Sequence, residues 1–559
     1  MTPHPVGAVR PRMPDIRQAA RASVPIVHDV ADAADRPAPT NPIEAISPAP
    51  TAGPRTWAGF AILCVGMFIA ILDIQIVATS LPRIQAGLGI APDRISWVQT
   101  AYLTAELLVI PLTGPLTRLA SLRRLFVTSV TLFTLASCGC AASGGFASLI
   151  VWRALQGASG GALIPTVFSA VFLLFPPNRQ GIATAVAGTL AVLAPTAGPV
   201  VGGWITETAS WHWLFLINVL PGIVSAIGGY WLLSSRDRRR GRLSELDVPA
   251  LVLLAVALGN LELGLKAAPE SGWTAPATVA HLGASTVSAL VFVRRTLTAA
   301  HPLVELRMFA DRRFAVGSAL SFACGVGLYG CVYLMPVFLG YVQGRGPLAI
   351  GEIMLVTGLA QLAASPLAVA LDGRVDATVL AVLGFGLFAV GSFLSTTQTA
   401  AMDPGALVVP QVVRGLSIMF CLLAPTRLAL GQLAAERVPD ASGLFNLMRN
   451  LGGAVGLSLI DTVIYGRIPG HVSDLVARLA SGDVDAARGV GIPPAVFAAR
   501  SGKPISEATR ALVAPLVEKA ALTASIGDAW MLVGTLNVVA IAALLLVRRR
   551  ADPSLEPKP

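Results

Sequence analysis

Fourteen apolar stretches, separated by polar residues, proline or glycine, dominate the 559-residue chain. They lie near 57–80, 95–114, 124–143, 147–172, 181–206, 213–234, 248–268, 276–293, 314–340, 350–371, 378–396, 405–432, 442–466 and 529–547. A helix rising 1.5 Å per residue needs about 20 apolar residues to cross a hydrocarbon core about 30 Å thick. Each stretch therefore reads as a spanning helix, and the chain as an all-α polytopic membrane protein. Composition agrees: 54% of residues are hydrophobic, 13% are charged and the mean hydropathy is +0.70, whereas soluble chains carry about a quarter of their residues as charges.

The formal net charge of +10 would suit a nucleic acid, but basic residues of membrane proteins accumulate in cytoplasmic connections and set orientation. Alternate connections here hold Arg118, Arg123 and Arg124; Arg179; Arg236, Arg238, Arg239, Arg240 and Arg242; Arg294, Arg295, Arg307, Arg312 and Arg313; Arg374; Arg437; and Arg548, Arg549 and Arg550. The opposite short connections hold only Arg83, Arg94, Lys266 and Arg345. This bias and the even span count place both termini in the cytoplasm, with membrane lipid and not nucleic acid as the surroundings. Residues 1–56, rich in Pro, Ala, Asp and Arg and lacking an apolar run of signal-peptide length, read as a disordered cytoplasmic tail. Residues 548–559 form a second tail, and 467–528 form a long external loop of mixed charge. The six cysteines fall inside apolar stretches and read as small hydrophobes, not as a disulfide or metal framework.

The two ends of the chain echo each other. Span four holds Arg153, Gln156 and Gly157 and span twelve holds Arg414 and Gly415; spans five and thirteen carry the glycine runs Gly198, Gly202, Gly203 and Gly452, Gly453, Gly456. The organisation is then a six-helix bundle over 57–234, two inserted helices with basic linkers over 235–313, and a second six-helix bundle over 314–547. Such repeats are the architecture of secondary transporters, with the site near the midplane between them.

An ionisable side chain at a helix centre costs at least about 2.5–3.5 kcal/mol to insert, so each one is a candidate. Asp73 shares a face of the first span with Gly59, Gly66 and Ser80, spaced by sevens, and this small, polar face points at protein or water. Arg153 lies at a similar depth, and the two can meet. Such a pair can convert a conformational change into proton uptake or release; alternatively it is a static brace for the bundle. Glu106 sits near the middle of span two with Gln99, Tyr102 and Thr113 in a polar stripe. It can bind a lipophilic cation, carry a proton or serve as a structural hydrogen-bonding group. Glu262 and Asp461 read as water-facing or packing positions. Tyr329, Tyr333, Met335 and Phe338 of span nine either line a greasy cavity or belong to the core.

The segment Ala194 to Gly203 combines Pro195 and Pro199 with Gly198, Gly202 and Gly203. It permits close helix approach and a bend, or serves ordinary tight packing. No GxxxxGK[ST] phosphate loop and no HExxH occur, and the six histidines lack metal-ligand spacing. No cofactor, metal or enzymatic chemistry is implied.

Several segments together resemble a known family. Leu72-Asp73 through Leu81-Pro82 and Ile110-Pro-Leu-Thr-Gly114 resemble helix-one and helix-two motifs of the fourteen-helix drug:proton antiporters of the major facilitator superfamily, in their EmrB-type branch. Arg153-Ala-Leu-Gln-Gly157 is similar to the superfamily RxxQG motif, and Gly198-Pro199 with Gly202-Gly203 to the antiporter motif of helix five. Trp211 to Asn218, His301 to Leu306 and Phe445 to Arg449 also follow family patterns. Gln75 and Ala78 depart from the helix-one motif. In Gly114 to Ser121 a basic residue stands at the usual Asp, as in the EmrB-type branch, and Ser121 replaces a glycine.

The resemblance implies a major facilitator fold of two six-helix halves plus two inserted helices. It implies Asp73 and Arg153 as the proton-coupling residues, Gly198, Pro199, Gly202 and Gly203 as the antiporter hinge, and Gly114, Arg118, Arg123 and Arg124 as a cytoplasmic gate. The expected activity is proton-driven export of amphipathic small molecules across a bacterial inner membrane, with Glu106, Tyr102, Gln99, Tyr329, Tyr333 and Phe338 in the substrate cavity and a periplasmic adaptor as a partner. Export of one endogenous metabolite or siderophore, or a non-transporting membrane sensor, are the competing readings.

Overall fold

The computed structural model describes residues 53–90, 94–95, 97–233, 247–299, 302–434, 436–493, 495, 497 and 507–549. The expected tails (1–52 and 550–559) and the basic linker 234–246 lie outside the described residues. Among the described residues the regular structure is entirely helical. In chain order the spans are α1 (Pro54–Leu88), α2 (97–120), α3 (122–141), α4 (Phe146–Leu174), α5 (Pro177–Thr208), α6 (Trp213–Leu232) and α7 (Val248–Ser271). They continue as α8 (Pro276–Thr298), α9 (Arg312–Val342), α10 (Pro347–Leu371), α11 (Ala377–Leu394), α12 (Val408–Leu430), α13 (Val438–Ala480) and α14 (Glu507–Arg549).

Two breaks complete the count of fourteen. Trp97–Ala141 is helical over 45 residues, about 68 Å at 1.5 Å per residue and twice a bilayer core. It divides at Ser121, whose φ of 68° and ψ of 156° are non-helical and kink the chain between α2 and α3. α5 is one bent span whose parts, Pro177–Pro195 and Ala197–Thr208, meet at 40°. Pro195 and Pro199 each remove the donor that would bind a carbonyl one turn earlier, which opens the helix there.

The stretch expected to be an external loop, 467–528, contains much helix. α13 runs to Ala480, a short helix follows at Val484–Val490, and α14 begins at Glu507. The Asp483 carboxylate caps the short helix by accepting from the backbone N–H of Asp485 and Ala486. Charge within these turns hides them from a search for apolar runs, although Ala, Leu, Arg and Glu favour helix. α13 and α14 are 43 residues each, about 65 Å, so both project well beyond the hydrocarbon.

The halves share one packing scheme. α1 packs on α5, α2 on α4 and α3 on α6; the equivalent pairs α9 with α13, α10 with α12 and α11 with α14 recur in the second half. Lipid competes equally for apolar surface, so close backbone approach at small residues does the joining. A Cβ on Gly452 would lie 2.0 Å from the Phe322 carbonyl oxygen, which is how α13 seats on α9. Large apolar side chains such as Leu220 (73% exposed), Trp231 (69%) and Val151 (67%) cover the outside, where lipid solvates them. α7 and α8 pair with each other, and α7 fills the side of the molecule between α2 and α13.

Candidate functional site: a buried ion pair beside a cavity

Asp73 and Arg153 meet. Both are fully buried, and Arg153 Nη1 donates to Asp73 Oδ2 at 2.6 Å. The heptad face of α1 brings this about: Gly66 lets the Phe126 ring of α3 pack against it, Gly59 lies under Leu233, and Ser80 is buried. Asp73 Oδ1 accepts from Asn218 Nδ2 at 2.7 Å and from Gln156 Nε2 at 3.0 Å. The guanidinium also donates from Nε to the Val98 carbonyl at 3.1 Å and from Nη1 to Gln156 Oε1 at 2.7 Å, while Gln156 Nε2 donates to Ser137 Oγ at 2.8 Å. The Tyr102 ring lies 4.4 Å below the Arg153 guanidinium carbon, and its hydroxyl donates to the Ala70 carbonyl at 3.1 Å. The network joins α1, α2, α3, α4 and α6 around one carboxylate.

The equivalent arginine of the second half is not so paired. Arg414 on α12 is fully buried, donates to the Gly391 carbonyl at 3.0 Å and to the Ser395 hydroxyl, and stacks 4.3 Å from the Trp530 ring. No carboxylate bonds it among the described residues. Among the described residues, a fully buried arginine–carboxylate pair of this kind occurs in the first half only.

A cavity of about 550 Å³ lies between the halves, within the range of small-molecule pockets. Ile74 and Gln75 of its wall adjoin Asp73 in α1, so the ion pair sits directly behind the lining. Gln99, Glu106, Tyr329 and Tyr333 line it, as does Pro199; Tyr102 and Phe338 do not. Tyr102 turns toward Arg153, and Phe338 lies in the apolar core of the second half. The Tyr329 hydroxyl donates to Asn450 Oδ1 and that of Tyr333 to Asp461 Oδ1, each at 2.6 Å. Glu262 is also part of the wall.

The arginine-rich end of the bundle is closed. Arg118 of α2 pairs with Asp440 of α13, Ser442 Oγ donates to the Pro165 carbonyl at 3.0 Å, and a Cβ on Gly181 would fall 2.5 Å from Asp372 Oδ2. Gly114 makes the first contact possible, since a Cβ there would meet the Asp440 carboxylate at 2.0 Å. Arg123 instead lies over the Tyr230 ring at 4.3 Å, inside the first half. Toward the other end the halves touch through α5 and α10, where a Cβ on Gly351 would lie 1.9 Å from Val200 Cγ2. Gly198 packs within its own half, on α1, where a Cβ added to it would lie 2.3 Å from the Gln75 Cβ. Gly202 and Gly203 are buried.

Sequence reasoning did not assign Asn218, Gln156, Ser137 or Asp440 to these contacts. Gln156 and Asn218 were visible as lone amides in apolar helices, the first one turn from Arg153. Asp440 had no such signal, because it begins a helix at the bundle end.

Residues 63–457 match the family model described as Major Facilitator Superfamily. The chain belongs to the major facilitator superfamily. Within it, the chain is 37% identical over 420 residues to the colistin resistance protein EmrB of Acinetobacter baumannii, covering 75% of this chain and 82% of that one. It is 30% identical over 415 residues to the multidrug export protein EmrB of Escherichia coli K12 (74% and 81%) and 31% identical over 407 residues to the fatty acid resistance protein FarB of Neisseria gonorrhoeae (72% and 79%). The fold is that of the human organic anion transporter MFSD10, with a TM-score of 0.56 at 14% identity, covering 87% of this chain and all of that one. The protein is thus a multi-pass membrane transporter related to EmrB-type exporters, and not an enzyme.

Proposed function

We propose that this major facilitator protein is a proton-coupled antiporter that exports amphipathic compounds by alternating access across a bacterial inner membrane, both termini being cytoplasmic. The observation that carries the reading is the Asp73–Arg153 pair held directly behind the wall of the inter-half cavity. A carboxylate held by one guanidinium and two amides is a proton acceptor whose affinity depends on keeping those partners, and since all of them lie in the first half, coupling requires α1, α4 and α6 to shift against one another within that half during the cycle. Protonation releases Arg153, and its return expels the proton, so substrate and proton movements share one conformational cycle.

In this reading the arginine-rich end is cytoplasmic. The Arg118–Asp440 contact, seated on Gly114, is then the cytoplasmic gate in its shut position, and the cavity belongs to an outward-facing form. Pro199, Gly202 and Gly203 act as the hinge of α5. The projecting ends of α13 and α14 form the surface for a periplasmic adaptor. The relatives named for resistance to drugs, colistin and fatty acids support an exporter of membrane-active compounds. The test is ΔpH-driven uptake of a lipophilic compound into proteoliposomes, with proton counterflow read by an internal pH dye. Uptake with stoichiometric proton movement is expected; uptake unchanged by collapse of ΔpH removes the antiport reading.

A further inference from the structure

α7 belongs to the helix pair inserted between the two halves, yet it forms part of the cavity wall. It is wedged between α2 and α13. Lys266 Nζ donates to Thr100 Oγ1 at 2.7 Å on one side, and Ser458 Oγ donates to the Leu265 carbonyl at 2.8 Å on the other. The one α7 side chain that reaches the cavity is Glu262.

Glu106, from α2, reaches the same space. Its residue is only 7% exposed, and among the described residues its carboxylate has no hydrogen-bond or ion-pair partner. The remaining lining is apolar or aromatic with a few amides, and among the described residues no Lys, Arg or His is part of it. Lys266, one turn from Glu262, is drawn away toward Thr100 and the face of Trp97, 5.6 Å from the ring centroid. The hydroxyls of Tyr329 and Tyr333, two further lining residues, are committed to Asn450 and Asp461.

A cavity whose described lining holds two carboxylates and no positive side chain favours cations over anions, and a single cation satisfies only one carboxylate. We infer that the cavity takes dicationic amphiphiles, with one positive group against Glu106 and the other against Glu262, so that the inserted helix α7 is a selectivity element of the substrate site. This rests on the export reading only in taking the cavity as the substrate site. Pairing with the second carboxylate gives the second cationic group its additional affinity.

The experiment compares a bis-quaternary ammonium compound having a polymethylene spacer with its mono-quaternary analogue of equal carbon count. Dissociation constants are measured by calorimetry on the purified full-length protein in detergent. Wild type is expected to bind the bis-cation at least about tenfold more tightly, a difference of about 1.4 kcal/mol. That ratio should fall toward one in both Glu106→Gln and Glu262→Gln, and persist in Glu262→Asp. Equal wild-type affinities, or a ratio that survives Glu262→Gln, would overturn the inference; the wild-type comparison decides even where a variant fails to fold. Displacement of the bis-cation by millimolar Mg²⁺ would also overturn it, assigning the carboxylates to a metal. Proton-coupled uptake of the mono-cation in proteoliposomes separates the two readings: intact uptake with a ratio of one sinks only the dication site, and absent uptake with a high ratio sinks only antiport.

Discussion

Asp73 has three donors on two oxygens, two from one helix and one from another. Arg153 and Gln156 lie three residues apart on α4, so they reach the same carboxylate, while Asn218 enters from the start of α6. Removing one partner of a buried charge pair costs about 3–5 kcal/mol because the other charge remains. Asp73→Asn keeps the acceptor facing Gln156 and Asn218 but turns an amide N–H₂ toward the guanidinium. The variant is expected to insert and fold with a lowered thermal midpoint, and any residual uptake in proteoliposomes should lose its dependence on ΔpH. Full ΔpH-driven uptake by Asp73→Asn would remove the residue from proton coupling. The double variant Asp73→Asn with Arg153→Leu leaves no unpaired charge, so its thermal midpoint should recover at least part of the loss without recovering coupling.

At the scale of elements, breaks matter as much as spans. Ser121 is the one non-glycine residue with positive φ among those described, and its ψ of 156° places it in a region that glycine alone occupies easily. Its buried hydroxyl has no partner to offset this. Holding such a conformation costs about 1–3 kcal/mol, so Ser121→Gly should raise the thermal midpoint of the detergent-solubilised protein by several degrees; an unchanged or lowered midpoint would show that the turn is unstrained. α5 offers a second contrast. Gly198 faces α1 of its own half, whereas Gly351 of α10 faces Val200 across the halves. Gly198→Val should therefore reduce the yield of folded protein, overpacking typically costing about 1–3 kcal/mol, and Gly351→Val should fold but slow transport by about tenfold or more. Equal effects of the two on yield and on transport would deny α5 a distinct role at the inter-half contact.

For the whole molecule, the decisive feature is asymmetry between its ends. Arg118, Asp440, Ser442 and Pro165 tie the halves at the arginine-rich end, and α7 occupies the side between α2 and α13. Ser442 is fully buried by this closure. A Ser442→Cys protein should resist a water-soluble maleimide in the conformation seen here, and adding Arg118→Ala should raise the labelling rate about tenfold, read by mass shift. Rapid labelling of Ser442→Cys alone, or no change with Arg118→Ala, would mean that the salt bridge does not hold that end shut.

The length and number of apolar runs already determined that the chain lies in a membrane as about fourteen helices, because lipid excludes short or charged spans. The cost of burying charge likewise singled out Asp73, Arg153 and Glu106, and the heptad of small residues on α1 showed which way Asp73 points. Partners were another matter. Asn218 lies 145 residues from Asp73 and Asp440 lies 322 from Arg118, and no periodicity within one helix sets such distances. Tyr102 shows the limit within a single element: it belongs to the same polar stripe as Gln99 and Glu106, yet only packing against α4 turns it to Arg153 and leaves the other two in the cavity. Helix extensions rich in charge were hidden for a related reason, since no apolar run marks them and the contacts of Arg467 and His471 of α13 with Asp528 of α14 are long-range. The insertion of α7 into the cavity wall was decided by tertiary structure alone, because small residues and shape, not hydropathy, choose which helix packs on which in lipid.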